Sequence, residues 1–301
     1  MRIVLFVIAS LFFVWSTPLY AVKKVEGYLF IIGGGSRSEQ MMKKFAELTK
    51  QSSKGKTVIF PMASSSPEES GKAMMEELKD LGIHNVEYHV LNREKALRFE
   101  SVKILDGVGS VYFTGGDQSR LTEALVNTPI HQKLLEIYEG GGVIGGTSAG
   151  AAVMSEMMIT GDEKRQVEKG HAFEKILADN IVVTPGFGFM KTVIIDQHFV
   201  TRRRHNRLIS LIAEHPNLLG IGIDESTAII VKPNEVFEVI GIQNVVVYDA
   251  TKAKINILPS HTLSGYHIIM HILKPGDSFD LKTNKPVEKR KTQEAYPLNN
   301  T

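Results

Sequence analysis

A serine lies within the glycine-rich segment 145–152, which reads Gly-Gly-Thr-Ser-Ala-Gly-Ala-Ala. The segment contains the pattern G-x-S-x-G, follows the apolar pair 143–144 and precedes residues that favour a helix. In this context the pattern is typical of a nucleophile elbow, a strained strand-to-helix turn that needs small neighbours and lifts a serine hydroxyl above the sheet. We predict that Ser148 is a catalytic nucleophile and that the N–H of Ala149 stabilises an oxyanion. The alternative is a structural glycine turn.

A second glycine turn, at residues 114–119, follows the apolar strand that ends at Phe113. Loops at the carboxyl ends of parallel strands share one edge of the sheet, where ligands bind. The backbone near Gly116 or Asp117 is therefore a candidate second oxyanion donor, and Gln118 is a candidate substrate contact. The alternative is a simple connector between a strand and a helix.

A serine nucleophile needs a base, and among the ten histidines His198 has the most suggestive position. It stands where the apolar pair 194–195 runs into polar residues, which again indicates the carboxyl end of a strand. Other histidines lie in ordinary helix or strand settings. We therefore predict that His198 is the general base.

The acid that orients this histidine is not determined by spacing, because many chain orders bring a carboxylate to the second ring nitrogen. The candidates lie in the loop after the elbow or in the segment Gly-Ile-Asp-Glu-Ser, and they are Asp162, Glu163, Glu168, Asp224 and Glu225. Of these we favour Glu163.

Four arginines follow the histidine, at positions 202, 203, 204 and 207. If this segment is helical, Arg203 and Arg207 share one face. Cations lose energy at the start of a helix, so their placement there suggests anionic partners such as carboxylates, which arginine binds in a bidentate manner. The alternative is a solvated basic face.

Short apolar runs without alternation, separated by helical segments, predict an α/β fold with a mainly parallel sheet covered on both faces. The predicted strands are 28–32, 57–60, 86–90, 110–113 and 143–144. The predicted helices are 38–48, 68–81, 130–138 and 149–157.

The last third of the chain changes to strands joined by short turns. These strands are predicted at 227–232, 236–240, 245–248 and 266–273, and we interpret them as an antiparallel C-terminal extension of the same domain. The predicted organisation is a single domain over 22–281, followed by a flexible, polar and basic tail over 282–301.

Composition excludes several classes of protein. The chain has 301 residues, of which 43% are hydrophobic and 23% are charged, and a net charge of +2. This length permits one large core, and the near-zero charge gives no general attraction to nucleic acid or acidic membranes. Cysteine is absent, which removes thiol nucleophiles and thiolate metal sites.

The first residues predict export. Arg2 precedes the apolar run 3–15, and a small residue, Ala21, follows at a plausible cleavage site, so residues 1–21 are typical of a secretory signal peptide. The alternative is an uncleaved membrane anchor, but the run is shorter than the ~20 residues that span a bilayer. We expect a periplasmic or secreted protein with no stable membrane span after cleavage.

Several segments, in order along the chain, resemble the cyanophycinase family of serine peptidases, which is related to dipeptidase E. They are 31–35, 113–118, 146–154, 196–199 with Arg202, Arg204 and Arg207, and 222–225. The resemblance covers residues 27–275, nearly the whole mature chain. The Asp-Gln-His-Phe segment with its arginines is the most specific of these.

This resemblance implies a fold like the class I glutamine amidotransferases, often dimeric, with a Ser-His-acid triad and neither metal nor cofactor. It implies hydrolysis of cyanophycin, a polyaspartate backbone carrying arginine on each β-carboxyl, to β-Asp-Arg dipeptides. It assigns Ser148 as nucleophile and His198 as base. The implied substrate-binding residues are Gln118, Asp196, Gln197, Arg202, Arg204 and Arg207.

Two other functions remain open. One is a dipeptidase for Asp-containing or isopeptide-linked dipeptides, and the other is an exported binding protein that has lost its chemistry. The distance between Ser148 and His198 distinguishes the binding protein from an enzyme, because catalysis needs these side chains within hydrogen-bond reach. A glutaminase-type amidotransferase needs a cysteine at the elbow and is excluded.

Overall fold

A computed structural model describes residues 25–52, 54–165 and 172–288. The predicted leader, 1–21, and residues 289–301 of the predicted tail lie outside these ranges. Within the described ranges, no helix combines the length and the apolar character needed to cross a bilayer.

Seven α-helices and a short 3-10 helix, Phe99–Leu105, are present in the described ranges. The α-helices are α1 Glu39–Gln51, α2 Pro67–Asp80, α3 Arg93–Ala96, α4 Gln118–Leu125, α5 Pro129–Glu139, α6 Ala149–Ala152 and α7 His205–Glu214. The strands are β1 Tyr28–Ile32, β2 Lys56–Phe60, β3 Val86–Tyr88, β4 Val108–Phe113, β5 Val143–Thr147, β6 Met157–Glu163, β7 Ile181–Pro185, β8 Val193–Gln197, β9 Leu219–Ile223, β10 Thr227–Val231, β11 Val236–Gly241, β12 Val245–Asp249, β13 Lys254–Ile257, β14 Leu263–Tyr266, β15 Ile269–Leu273, β16 Ser278–Asp280 and β17 Lys285–Pro286.

The main sheet has nine strands in the order β17-β16-β11-β10-β1-β5-β4-β2-β3. Its five strands from β1 to β3 are parallel, and β10, β11, β16 and β17 continue it in antiparallel pairing. The predicted α/β class with a parallel sheet and an antiparallel C-terminal extension is therefore confirmed.

Both faces of the main sheet are buried, and strand β1 shows how. Leu29 and Ile31 pack into the apolar cluster that also contains side chains of α5, whereas Phe30 and Ile32 pack into a second cluster with α1. Because successive side chains point to opposite faces, a strand covered on both sides must be apolar throughout. This explains the unalternating runs in the sequence.

A second sheet of four strands, in the order β15-β12-β9-β8, holds the region of His198. One of its faces joins the main core through residues such as Ile195 and Ile221, and helix α7 covers the other through residues such as Leu211. Strands β8 and β9 are parallel to each other, as are the strands at the centre of the main sheet. Their residue pattern therefore does not indicate that they belong to a second sheet.

Two predicted elements differ most from the structure in extent. The helix predicted at 149–157 is α6 alone, because the following backbone bonds to another segment: Glu156 N–H donates to the carbonyl of Met190, and Gly186 N–H donates to that of Glu156. The strand predicted at 266–273 is broken at His267, whose φ of 64° turns the chain between β14 and β15.

Candidate active site

Ser148 lies at the sharp turn between β5 and α6, with φ 53° and ψ −108°. Its N–H donates to the carbonyl of Ile32 on the neighbouring strand, at 3.0 Å. The turn is closed so tightly that a Cβ on Gly146 would lie 2.3 Å from the carbonyl oxygen of Gly150. This is the strained strand-to-helix turn that the glycine pattern predicts.

The imidazole of His198 lies beside this serine. Ser148 Oγ and His198 Nε2 are 2.8 Å apart, although the two residues follow strands of different sheets. His198 has a φ of 49°, and its N–H donates to the carbonyl of Gly33 at 2.7 Å. A Cβ on Gly34 would lie 2.3 Å from His198 Cε1, so only glycine leaves room for the ring.

A carboxylate accepts from the other ring nitrogen, and it belongs to Glu225. His198 Nδ1 and Glu225 Oε1 are 2.6 Å apart. Glu225 stands in the short connection between β9 and β10, where the N–H of Ser226 donates to the carbonyl of Gly34 at 2.8 Å. Hydrogen bonds to the backbone of residues 32–34 thus hold both the turn of Ser148 and the segment of Glu225 beside the imidazole.

Glu163, the acid favoured from the sequence, is placed elsewhere. Its carboxylate accepts from the N–H of Phe173 at 2.8 Å and from Asn180 Nδ2 at 2.6 Å, which ties the end of β6 to the segment that leads into β7. Asp224 is buried and accepts from the N–H of Thr201 at 3.0 Å. Glu168 lies outside the described residues.

The environment keeps this imidazole in its neutral form. Burial lowers the pKa of His198, and the positive charges of Arg202 and Arg204 lower it further, whereas the hydrogen bond to Glu225 raises it. Since the net direction is downward, the neutral ring is favoured, and in that form Nε2 can accept the proton of Ser148.

The loop after β4 lies against the serine. A Cβ on Gly115 would be 3.4 Å from Ser148 Cβ, and one on Gly116, with its φ of 137°, would lie 2.0 Å from the carbonyl oxygen of Ala63. Asp117 is not a free oxyanion donor, because its N–H already donates to the same carbonyl at 2.9 Å. Gly116 and Ala149, the first residue of α6, therefore remain the candidate donors.

Gln118, predicted as a substrate contact, is buried and bonded to the protein itself. Its amide nitrogen donates to the carbonyls of Ile159 and Thr160, which fixes strand β6 beside α4. The side chain therefore holds the wall of the site together, and its donor is not available to a ligand.

Asp196 and Arg207 form a buried pair instead of lining the site. Their side chains are 0% and 1% exposed, and Arg207 Nε donates to Asp196 Oδ2 at 2.7 Å while Nη2 donates to Oδ1. The guanidinium also lies 4.9 Å from the ring centre of Phe173. Gln197 is buried too, with 4% of the residue exposed. The predicted role of these three residues in contacting substrate is not what the geometry favours.

Two arginines remain close to the imidazole. Arg204 is largely covered and donates to the carbonyl of Gln197 at 2.7 Å, and burial together with the charge of Arg207 lowers its pKa to about 10. The side chain of Arg202 is 53% exposed, with Nε 4.0 Å from Glu225 Oε1. The helix expected here begins only at His205, so Arg203 and Arg207 do not share a helical face.

Fold and site together define a serine-type hydrolase of the α/β class: an elbow serine, a neutral imidazole and a carboxylate lie in one hydrogen-bonded row. The family model described as peptidase family S51 matches residues 29–239. The chain therefore belongs to peptidase family S51, and it is a serine-type peptidase.

Its relatives include proteins named cyanophycinase. One from Synechococcus elongatus is 33% identical over 233 residues, which is 75% of this chain and 70% of that protein. One from Nostoc sp. is 34% identical over 235 residues, 76% of each chain. A crystal structure of a peptidase from an acI-B1 Actinobacterium shares the fold, with a TM-score of 0.61 and 24% identity over 86% of this chain and 98% of that one.

The sequence does contain an indication that Glu225 lies near the histidine, although spacing did not single it out among the candidate acids. The residue follows the apolar run 219–223, just as His198 follows the run 193–195, so both stand at carboxyl ends of strands. Parallel strands bring such ends to one edge. The same reasoning did not apply to Glu163, which ends a strand of an antiparallel pair.

Proposed function

We propose that the protein hydrolyses cyanophycin to β-Asp-Arg dipeptides, with Ser148 as nucleophile, His198 as general base and Glu225 as the acid that orients it. The observation that carries this proposal is the hydrogen-bonded row from Ser148 Oγ through His198 to Glu225 Oε1. The names of the relatives support the choice of substrate.

In this mechanism Ser148 Oγ attacks a backbone carbonyl of the polymer while His198 Nε2 takes its proton. The resulting oxyanion is stabilised by N–H groups of Gly116 and Ala149. His198 then gives the proton to the leaving amine, which leaves an acyl-enzyme. A water molecule, deprotonated by the same imidazole, releases the second product and restores the serine.

The arginines account for part of the recognition. Each unit of the polymer offers one carboxylate and one guanidinium. Arg202 is exposed beside the imidazole and can bind the carboxylate, with Arg204 behind it. Asp196 is not available for the guanidinium, because Arg207 already occupies it. A carboxylate that binds the guanidinium of the substrate must therefore lie outside this group of Asp196 and the arginines.

The test is incubation of the mature protein with purified cyanophycin and identification of the products by mass. We expect β-Asp-Arg from the wild type and a loss of at least about ten-thousand-fold in kcat for Ser148→Ala, with unchanged polymer binding. Ser119→Ala, a serine on α4 outside the row, serves as the control and should keep full activity.

Other outcomes would redirect the assignment. Full activity of the Ser148→Ala variant would overturn the mechanism. Release of amino acids from Asp-containing dipeptides, with the polymer left intact, would favour the dipeptidase. A binding protein without chemistry is the least consistent with a 2.8 Å contact between Ser148 and His198.

We also propose that the protein is exported and cleaved after Ala21. The support is the composition of residues 1–21, a positive start followed by an apolar run and a small residue at the cleavage site. We expect the N-terminus of the protein recovered outside the cytoplasm to be Val22, as determined by mass spectrometry. Replacement of Ala21 by arginine should block processing, and a cytoplasmic protein that begins at Met1 would refute the proposal.

A further inference from the structure

A cleft of about 500 Å³ opens beside the candidate active site, at the carboxyl ends of β2, β3 and β4. Its floor is apolar and comes from the buried side chains of Met62, Leu91 and Ala124. Its walls are polar and include Ser64, Arg93, Arg120 and Glu123.

The cleft is continuous with the loop that touches the nucleophile. Gly115 borders Ser148, and Gly116 packs on the carbonyl of Ala63 so closely that a Cβ would lie 2.0 Å from its oxygen. The next residue along the chain, Ser64, lines the cleft. The loop that carries Gly115 and Gly116 therefore borders both Ser148 and the segment that lines this cleft.

The walls carry both signs of charge. Arg120 and Glu123 are three residues apart on α4. Arg120 Nη1 donates to the carbonyl of Ser64 at 3.1 Å, and its Nε lies 3.9 Å from Asp117 Oδ2, with half of the side chain exposed. Arg93 is tied to the carbonyls of Glu123 and Val126 at the far wall. Within the described ranges, the carboxylate of Glu123 lies in no ion pair, although it is exposed.

We propose that this cleft is an extended subsite, which binds units of the polymer beyond those at the scissile bond. Arg120 takes the carboxylate of such a unit, and Glu123 takes its guanidinium. A zwitterionic repeat matches a wall that offers one cation and one anion three residues apart on a helix. The inference rests on the proposed function, since it assumes a polymer of Asp-Arg units.

The test compares soluble oligomers of two and of ten repeat units. Two units contain one scissile backbone bond, and under this proposal only the longer substrate has units left over to occupy the cleft. We expect Arg120→Gln and Glu123→Gln each to raise KM for the ten-unit substrate roughly 3- to 10-fold, as for one charged hydrogen bond at a partly exposed site, with kcat unchanged. KM for the two-unit substrate should stay at the wild-type value.

Arg98→Gln is the matched control, because Arg98 is similarly exposed, at 54%, and lies outside the cleft. Its kinetics should equal those of the wild type on both substrates. Wild-type KM values for both cleft variants on ten units would overturn the extended subsite and leave the proposed function intact. An equal rise in KM on two and ten units would also overturn it, because it would place these residues at the scissile bond. An inactive wild type would instead refute the proposed function.

Discussion

The surroundings of His198 shift the pKa of its imidazole in opposite directions. Glu225 accepts from Nδ1 and favours the protonated ring, while burial and the cations of Arg202 and Arg204 favour the neutral ring. The carboxylate thus fixes the orientation of the ring without making it a permanent cation. A base that is neutral at working pH and well oriented is what removal of a serine proton requires.

This balance predicts the pH dependence of the peptidase. Only the unprotonated ring accepts a proton, so kcat/KM should fall as the pH drops through the pKa of His198, with a midpoint below the ordinary value of about 6.5. Arg202→Gln removes a positive charge that lowers this pKa. The pKa should therefore rise, and the acid limb of the profile should move to higher pH.

The measurement is the midpoint of the kcat/KM profile, which is independent of any change in its height caused by weaker substrate binding. Arg203→Gln is the control, since Arg203 is exposed next to Arg202 but is not among the charges that lower the pKa of His198. A midpoint that stays in place for Arg202→Gln would show that its charge does not act on the imidazole.

At the scale of elements, β8 and α7 are joined where the chain turns between them. Asp196 stands near the end of β8 and Arg207 in the first turn of α7, and their side chains form a bidentate pair that is almost fully buried. His198 lies within this turn, one residue beyond the strand. The pair therefore ties together the two ends of the turn that carries His198, whereas the family resemblance implies that both residues contact substrate.

Breaking this pair should affect stability more than recognition. Asp196→Asn leaves the guanidinium of Arg207 buried without a countercharge, and removal of one partner of a buried pair costs about 3–5 kcal/mol in the free energy of unfolding. Urea unfolding at neutral pH measures this loss, with the exposed Arg203→Gln as the reference. An unchanged unfolding midpoint together with weaker polymer binding would return Asp196 to the substrate site.

The elements show which features the sequence could predict. The strands of the parallel sheet and the elbow around Ser148 were predicted because burial on two faces and a strained turn each restrict residue types locally. The acid could not be identified in this way, because the apolar run before Glu225 indicates only that this residue follows a strand, and the tertiary fold decides which carboxylate reaches the ring. Likewise α6 ends early because Glu156 bonds to a segment thirty residues further along the chain, which local propensity does not contain.

At the scale of the whole molecule, the candidate site lies where the two sheets meet. Ser148 follows β5 of the main sheet, His198 follows β8 of the second sheet, and Glu225 stands in the connection from β9 in the second sheet to β10 in the main sheet. The geometry of the site therefore depends on how the sheets pack, including strands that contain no site residue.

The C-terminal strands should accordingly be indispensable. β12 pairs with β9 over five residue pairs, and Phe279 on β16 stacks on Phe237 of β11 with ring centres 5.5 Å apart. A chain that stops at residue 241 exposes Phe237 and the free edge of β9, and such an edge favours aggregation. We expect this truncation to be insoluble, whereas a chain that stops at residue 288 keeps every described strand and should stay soluble and active. Soluble yield and peptidase activity of the two truncations decide the matter, and a soluble, active protein ending at residue 241 would show that the extension is a separate unit and not part of one domain.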